Sequence, residues 1–365
     1  MEQKRLGDLA TYINGYAFKP EDRGKEGLPI IRIQDLTGNT YDLGFYNGDY
    51  PEKIEINDGD ILISWSASLG VYIWNRGKAL LNQHIFKVVF DKEEVNKQYF
   101  VFAVKYNLKE MGTKAHGATM KHIVKKDFDN TLVPFPTIEK QDVIAEILSK
   151  TAYIVDARKQ ELQKLDDLVR ARFVEFFGDP VANDKGWDTE ICRNLMSKIG
   201  SGATPKGGKE SYCDEGISLI RSMNVYNNRF EYKDLAHITD EQAEQLNNVT
   251  IEKKDILLNI TGASVARCCI VPDDLLPARV NQHVSILRCK ERVLPDFVCN
   301  MFTEHNYQGL LWNVATAGGA TREAITKQQI EELILIIPPI DLQKQFVAFV
   351  AQTNKSKFTK TFRPL

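Results

Sequence analysis

The sequence predicts an α+β protein: a tandem duplication of one mixed α/β domain, each copy followed by a long helix, with the two helices pairing as an antiparallel coiled coil. Three observations predict this class. The same short phrases occur twice in the same order, short Ile- and Val-rich runs accompany helical stretches within each copy, and a long stretch without Gly or Pro follows the first copy. A length of 365 residues is that of about two domains.

The internal repeat has a period of about 190 to 200 residues. Arg32 and Arg221 end corresponding apolar runs, at an offset of 189 residues. Asn-Gln-His occurs at 82–84 and at 281–283, and Gly-Ala-Thr occurs at 117–119 and at 319–321. Because the offsets only increase along the chain, we infer a duplication with small insertions. The period is far longer than that of a solenoid repeat.

Each copy is expected to contain a sheet and a few helices. The candidate strands are 29–33, 60–64, 85–90 and 131–135 in the first copy, and 217–221, 255–260, 283–288 and 333–337 in the second. Mostly helical stretches are expected at 96–111 and 294–314, and a Gly-rich loop follows each of them.

The stretch from Glu139 to Phe177 contains no Gly and no Pro, so we expect one long helix there. Steps of four and three residues define a mostly apolar seam, formed by Ile144, Leu148, Val155, Leu162, Leu165, Val169 and Phe176. At 1.5 Å per residue the helix would be roughly 58 Å long, which is too long to stand alone.

The expected partner of this helix is the matching helix of the second copy, which begins at Asp341. That second helix is expected to be shortened at its C-terminal end, because 359–365 is a poor helical sequence. We therefore expect Leu162, Leu165, Val169 and Phe176 to need cover from another chain. The predicted boundaries are 1–137 for the first domain, 138–178 for the long helix, 179–187 for a linker, 188–339 for the second domain and 340–365 for the short helix and tail.

The composition excludes several classes of function. The formal net charge of −2 argues against a protein that binds polyanions over its whole surface, so any nucleic-acid binding needs local basic patches. No apolar run approaches the roughly 18 to 20 residues that span a bilayer, and the first residues lack the apolar core of a signal peptide, so we expect a cytoplasmic protein. The six cysteines show no metal-ligand spacing and are expected to be buried and reduced. We expect no metal and no cofactor.

The residues that we expect to contact nucleic acid fall into three groups. The stretch 111–126 carries four Lys, two His and no Asp or Glu, and it supplies Lys114, His116, Lys121 and Lys125, with Arg322 at the corresponding loop of the second copy. Short polar residues follow the same repeated strand in both copies: Ser64, Ser66 and Ser68, and Asn259, Thr261 and Ser264. Arg32 and Arg221 fit either a phosphate contact or a structural salt bridge. For His84 and His283 we favour structural hydrogen bonding, because no acidic or nucleophilic partner recurs beside them.

These phrases together resemble the DNA-specificity (S) subunits of Type I restriction-modification systems. The resemblance also rests on Gly-Leu-Pro-Ile-Ile-Arg-Ile at 27–33, Ile-Gly-Ser-Gly-Ala-Thr-Pro at 199–205, Pro-x-x-x-x-Gln at the start of each long helix and Phe-Gly-Asp-Pro at 177–180. It covers nearly the whole chain. Each phrase is weak by itself, but their order and their double occurrence make the match specific.

The resemblance implies a non-catalytic subunit that lies between two modification (adenine methyltransferase) subunits, with restriction/translocase subunits added for cleavage. Each recognition domain would read one half of a split target in double-stranded DNA, and the unlike side chains of the two copies imply an asymmetric target. The helices would set the spacing between the two half-sites. A helix roughly 58 Å long corresponds to roughly 17 base pairs of DNA, which is the upper limit of that spacing. Base flipping and methyl transfer would belong to the partner.

Two other functions stay open at this point. The chain could be the recognition half of a fused restriction-methylation enzyme, although it contains neither an Asp/Asn-Pro-Pro-Tyr/Phe tetrad nor a Gly-rich fingerprint for adenosylmethionine. It could also be a coiled-coil scaffold without a DNA role, in which case its domains would bind protein.

Overall fold

The chain divides into two units, Met1–Ala157 and Arg158–Leu365. The computed structural model describes residues 2–39, 42–114, 123–205, 207–317 and 323–361. Both units contain helices and sheets, and one four-stranded sheet has the same strand order in each, as the predicted duplication requires.

The first unit is built on two four-stranded sheets. Its strands are β1 (Gln3–Arg5), β2 (Thr11–Asn14), β3 (Leu28–Ile31), β4 (Phe45–Tyr46), β5 (Glu55–Ile56), β6 (Ile61–Ser64), β7 (Gly70–Ile73), β8 (Ala79–Leu81), β9 (Ile85–Val89) and β10 (Leu132–Pro134). Its helices are α1 (Leu6–Leu9), α2 (Ile33–Thr37), α3 (Lys97–Lys114), α4 (Lys125–Asp129) and the start of α5 (Ile138–Phe177). One sheet has the order β2-β9-β6-β7 and the other β4-β3-β8-β5.

The second unit repeats this plan with one four-stranded sheet, one three-stranded sheet and an added hairpin. Its strands are β11 (Asp188–Ile191), β12 (Met196–Ser201), β13 (Ile217–Ile220), β14 (Val225–Tyr226), β15 (Arg229–Phe230), β16 (Ala236–Ile238), β17 (Ile256–Asn259), β18 (Cys268–Ile270), β19 (Ala278–Val280), β20 (Val284–Cys289) and β21 (Ile334–Ile337). Its helices are α6 (Cys192–Leu195), α7 (Asp240–Gln245), α8 (Pro295–Phe302), α9 (His305–Thr316), α10 (Lys327–Glu331) and α11 (Ile340–Thr361). The order β12-β20-β17-β18 matches β2-β9-β6-β7 of the first unit strand for strand. The three-stranded sheet has the order β16-β13-β19, and the added hairpin is β14–β15.

Two further pairings confirm the duplication. A parallel pair joins β3 to β8 in the first unit and β13 to β19 in the second, although the other pairs of these sheets are antiparallel. In each unit the first strand pairs with the last strand before the long helix, β1 with β10 and β11 with β21. The chain therefore closes each domain before the long helix begins.

The predicted stretch 294–314 forms two helices, not one. Helix α8 ends at Phe302, and α9 begins at His305 because the Glu304 carboxylate accepts hydrogen bonds from the backbone N–H groups of Asn306 and Tyr307, at 2.8 and 3.1 Å. A side-chain acceptor at this position satisfies N–H groups that would otherwise have no partner at a helix start.

The long helix α5 runs from Ile138 to Phe177, as the absence of Gly and Pro predicts. Its start is held by Gln141, which is buried, donates to the Pro136 carbonyl at 2.9 Å and accepts from the Asn96 N–H at 3.0 Å. Gln343 repeats both bonds at the start of α11, with the Pro338 carbonyl and the Leu294 N–H. The Pro-x-x-x-x-Gln phrase thus positions each helix against its own domain.

Within the second unit, the C-terminal part of α5 packs against α11. Phe346 of α11 contacts Phe173 and Phe177 of α5, with ring centroids 5.5 and 5.3 Å apart, while Lys357, eleven residues later, pairs with Asp166 at 2.5 Å. The partners on α5 move toward its N-terminus as α11 proceeds, so the two helices run antiparallel. This confirms the predicted coiled-coil pairing.

The prediction of which apolar residues lack cover was wrong. Val169 is 6% exposed, and Phe176 packs against the same cluster, because antiparallel pairing brings the start of α11 to the end of α5. Exposed apolar side chains occur in both halves of α5. Val143, Ile147 and Val155 in the N-terminal half are 57%, 58% and 47% exposed, and Leu168 and Val174 in the C-terminal half are 47% and 45% exposed.

The remaining seam residues do not change evenly along α5, since Ile144, near its start, is half-buried. Leu162 and Leu165 are half-buried, whereas Leu148 is 39% exposed. Phe173, which the predicted seam omits, is buried and contacts Phe346 of α11. Helix α11 also continues to Thr361, three residues further than its composition suggests.

In the described part of the chain, none of the helices combines the length and the apolar character that a bilayer crossing needs.

Candidate nucleic-acid interface

Three of the repeated phrases meet at the end of one strand in each unit. In the first unit the backbone N–H of Trp65 donates to the His84 carbonyl at 3.2 Å. The backbone N–H of Ile123 donates to the Trp65 carbonyl at 2.9 Å. In the second unit Ile260 occupies the same place between His283 and Ile325, with bonds of 3.0 and 2.9 Å. The strand end, the Asn-Gln-His turn and the residue that follows the Gly-rich loop therefore form one backbone framework.

The second unit carries a hydrogen-bonded polar chain on this framework. Oγ1 of Thr261 lies 2.6 Å from Nδ1 of His283, and Nε2 of His283 lies 3.2 Å from Nε2 of Gln282. The Thr204 hydroxyl donates to Oε1 of Gln282. Because an amide nitrogen only donates, Nε2 of His283 accepts, and the ring proton is on Nδ1 facing Thr261. The Thr261 hydroxyl therefore keeps its own proton for a ligand.

The same framework in the first unit carries aromatic side chains. The Trp65 ring stacks on Phe86 with centroids 5.6 Å apart and meets the His84 ring edge-on at 4.9 Å. Its indole N–H donates to Oδ1 of Asn14 at 3.3 Å. One backbone arrangement thus presents unlike side chains in the two units, which is what two recognition sites of different specificity require.

Three of the predicted DNA contacts must be corrected. Ser64 and Asn259 are fully buried and Ser66 is 6% exposed, so none of these side chains can reach a base edge in this conformation. The Ser64 hydroxyl donates to the Ser68 carbonyl, and the Asn259 amide donates to the Ser222 carbonyl at 2.9 Å. The Ser64 and Asn259 side chains therefore hold neighbouring loops, since buried polar groups need hydrogen-bond partners.

The other strand-end residues lie at the surface. Ser68 is exposed, and Thr261 and Ser264 are half-buried. All three are in the loops that follow β6 and β17, and they remain candidates for contact with a ligand. The predicted set of polar residues after these strands is thereby reduced to its outer members, because Ser64, Ser66 and Asn259 are buried within their domains.

Arg32 and Arg221 have structural partners. Nε of Arg32 lies 3.3 Å from the Asp35 carboxylate, and its guanidinium also donates to the Asp42 carbonyl. Arg221 donates in the same way to the Asp234 carbonyl and lies over the Tyr212 ring, 5.5 Å from its centroid. Both arginines tie the end of their strand to a loop 10 to 13 residues further on, so the structure favours the structural alternative for both.

The basic stretch is only partly described. His116, Lys121 and Arg322 lie outside the described residues, and Lys114 is the last residue of α3. Lys125 is half exposed, pairs with Asp129 at 2.6 Å and lies 5.8 Å from the centroid of the Tyr12 ring. Its ammonium group therefore stays at the surface beside the aromatic cluster of the first unit.

Burial keeps two titratable side chains of these domains, Tyr12 and Cys192, protonated. Burial, and then the Asp129 carboxylate, raises the pKa of Tyr12, so its hydroxyl stays protonated and donates to the Leu6 carbonyl at 2.9 Å. Burial raises the pKa of the Cys192 thiol to about 12. All six cysteines are free, as predicted, and four of them are buried. Among the described residues, no group of three or more His, Cys, Asp or Glu side chains could hold a metal ion.

Sequence reasoning missed Thr204 and Gln282, which complete the polar chain of the second unit. Both were inside phrases already noted, 199–205 and 281–283. The phrases are about 80 residues apart, so only the fold shows that these two side chains meet.

Comparison with known proteins explains the repeated framework. The model of the Type I restriction modification DNA specificity domain family matches residues 1–166 and 193–361. The chain belongs to this family. The two matched regions are the two copies of the repeat, and the match favours a specificity subunit over a fused enzyme or a coiled-coil scaffold.

Known members of the family resemble the chain over most of its length. The specificity subunit of the Type I restriction enzyme EcoBI from Escherichia coli is 25% identical over 95% of this chain and 78% of its own length. That of EcoKI from Escherichia coli strain K12 is 22% identical over 95% and 80%. Neither name is that of a catalytic subunit, in agreement with the predicted non-catalytic role.

The fold is also found among solved members of the family. The S subunit of the Type I restriction-modification system from M. genitalium superposes with a TM-score of 0.57 at 14% identity, over 98% of this chain and 90% of that one. The likeness confirms the predicted fold for this member of the family.

Proposed function

We propose that the chain reads an asymmetric, bipartite target in double-stranded DNA, with one half-site for each of its two recognition domains. The observation that carries this proposal is the repeated framework around Trp65 and Ile260. Two domains with one backbone plan are suited to the same kind of ligand, whereas unlike side chains at equivalent places suit different base sequences.

The proposed domain boundaries are 1–137 and 188–339 for the recognition domains, with the helical parts at 138–178 and 340–365 joined to them through the linker 179–187. Helices α5 and α11 would set the spacing between the half-sites and dock partner subunits. The apolar side chains exposed on the N-terminal half of α5, among them Val143 and Ile147, support a docking role, since such side chains gain from cover by another protein.

The partners that we propose are two DNA adenine methyltransferase subunits, with restriction/translocase subunits in the full complex. A solved structure that resembles this chain, with a TM-score of 0.50 over 98% of it, comes from work on complex assembly in the type I R-M system. Methyl transfer to a flipped adenine would occur in the methyltransferase subunit, whereas this chain would select the site.

The DNA-contact residues that we propose are those at the surface of the framework: Ser68 and Lys125 in the first domain, and Thr261 and Ser264 in the second. Lys114, His116, Lys121 and Arg322 belong to the same proposal on the sequence pattern alone. The lysines would contact phosphates, and the hydroxyl groups would contact base edges or phosphates.

The proposal is tested by co-expression with the methyltransferase subunit and genome-wide mapping of methylated adenines. We expect a split, asymmetric motif. A palindromic split motif would mean that one domain is used twice, through dimerisation. It would overturn the proposal that the target is asymmetric. A complex that forms but leaves no methylated motif would contradict the proposed role in site selection.

Thr261→Val connects the mapped motif to the structure. The variant should relax or lose recognition of one half-site while the other half-site is unchanged, because the two frameworks lie in different domains. Ser68→Ala is the matched variant in the first domain and should affect the opposite half-site. If both variants changed the same half-site, the assignment of one half-site to each domain would be wrong.

A further inference from the structure

A tyrosine with two arginines stacked on it forms an unusual cluster in the second unit. The guanidinium carbons of Arg229 and Arg267 lie 4.8 and 4.6 Å from the centroid of the Tyr226 ring. The two cations are therefore within roughly 10 Å of each other, although like charges repel at this distance. The aromatic ring partly offsets this repulsion, because its electron-rich face attracts cations.

The backbone around the cluster is held in place. Tyr226 and Arg229 flank the turn of the β14–β15 hairpin, in which Asn228 takes a left-handed conformation with φ of +54°. The Asn228 N–H donates to the Cys268 carbonyl at 2.8 Å, and its side-chain amide donates to the Thr303 hydroxyl at 2.8 Å. The hairpin turn is thus tied to β18 and to the end of α8, so the ring offers a fixed platform.

The charges of the cluster are not balanced. Arg229 lies 3.4 Å from the Glu231 carboxylate, whereas no Asp or Glu within the described part of the chain is paired with Arg267. A stacked guanidinium with free N–H groups is suited to phosphate, which it can bind through two parallel hydrogen bonds. The guanidinium of Arg267 is therefore available to a ligand, whereas that of Arg229 is partly neutralised by Glu231.

The position of Arg267 connects the cluster to the framework described above. Its carbonyl accepts from the Asn259 N–H at 2.8 Å, so Arg267 ends the loop that carries Thr261 and Ser264. In the first unit Ser64 pairs with Gly70 at the same register, and glycine has no side chain to contribute. The cluster thus belongs to the second domain only.

We propose that Arg267, supported by Tyr226 and Arg229, is an anchor for a DNA backbone phosphate beside the half-site read by the second domain. The inference rests on the proposed DNA-binding function and assigns the anchor to residues outside the predicted basic stretches. Because the anchor has no counterpart at Gly70, the second domain makes at least one backbone contact that the first does not.

The test measures the affinity of the chain, in complex with its methyltransferase subunit, for a labelled duplex that carries the mapped motif, across a series of salt concentrations. Each phosphate contact adds about 0.9 to the slope of log affinity against log salt. Arg267→Ala should lower this slope by about one and weaken binding about tenfold near physiological salt. Arg267→Lys should keep most of the slope, because it keeps the charge.

Two further variants make the test specific. Glu231→Gln should steepen the slope and tighten binding, because it frees Arg229 from its carboxylate. Arg292→Ala is the matched control: this arginine of the same domain is 59% exposed and lies 3.8 Å from Glu190, outside the cluster. Its slope should equal that of the unchanged chain.

Each other outcome is informative. If the unchanged complex binds the duplex and Arg267→Ala has the slope of Arg292→Ala, the anchor is wrong while the proposed function stands. If the unchanged complex fails to bind any duplex, the proposed function itself fails. If Arg267→Ala instead loses the methyltransferase subunit and keeps its salt slope, the cluster docks an acidic protein surface and the phosphate anchor is overturned.

Discussion

Val169 and Val143 of α5 should respond differently to the same substitution, because only Val169 is packed against α11. Val169 is 6% exposed against α11, whereas Val143 on the same helix is 57% exposed. Val169→Ala removes two buried methyl groups, worth about 0.8 kcal/mol each, and leaves a small cavity, so we expect a loss of about 2 kcal/mol. Val143→Ala removes little buried surface, and alanine favours the helix by roughly 0.5 kcal/mol, so stability should be unchanged or slightly higher.

Hydrogen exchange of the isolated chain, read peptide by peptide, measures both effects. Val169→Ala should raise the opening equilibrium of the amides in 158–177 about 30-fold, which corresponds to 2 kcal/mol. Val143→Ala should leave the exchange of 138–157 within about twofold of the unchanged chain. The reasoning would be refuted by equal destabilisation from both variants, or by fast exchange in 158–177 of the unchanged chain.

Three more predictions follow from buried contacts and thiols. Gln343→Ala removes the buried amide that holds the start of α11. Urea melts should show that the free energy of unfolding of the second unit falls by about 2 to 3 kcal/mol. Gln352→Ala, at an exposed glutamine of the same helix, should leave this free energy unchanged. Thr261→Val should leave the melting temperature near that of the unchanged chain but weaken binding to the mapped target about tenfold, as a lost hydroxyl donor predicts; equal binding would exclude Thr261 from the interface. With a disulfide reagent at pH 8, Cys213 should react first. Only Cys213 and Cys289 among the six cysteines are half-buried, and burial raises the pKa of the Cys289 thiol and keeps it protonated. Cys213→Ser should abolish the fast phase, and its persistence would contradict the prediction.

Most of what could be predicted from the sequence came from its internal repeat. Equivalent phrases at nearly constant offsets showed the duplication, and the absence of Gly and Pro between Glu139 and Phe177 predicted α5 almost to the residue. The family followed from the order of the phrases, since no single phrase is specific. These inferences depend on periodicity and order, which a sequence states directly.

The site was predicted less well, because the positions of side chains depend on contacts between distant segments. Ser64 and Asn259 follow the expected strand as polar residues do at a strand end, yet each points inward and bonds a neighbouring loop. The pairing of Thr204 with Gln282 joins segments about 80 residues apart. The Arg229–Tyr226–Arg267 cluster has no signal in either the repeat or the basic stretches, because it needs the β14–β15 hairpin to lie beside β18.

By itself the sequence determined the fold class, the two copies and the helical character of α5, because strand and helix periods, glycine and proline positions and internal repetition are local properties. Only the tertiary structure decided which half of α5 is covered. The seam looks equally apolar at Val155 and at Val169, but α11 begins beside Phe177 and runs antiparallel to α5, so cover starts at the C-terminal end. Burial depends on which segments meet in space, and that is a property of the packed chain and not of any stretch within it.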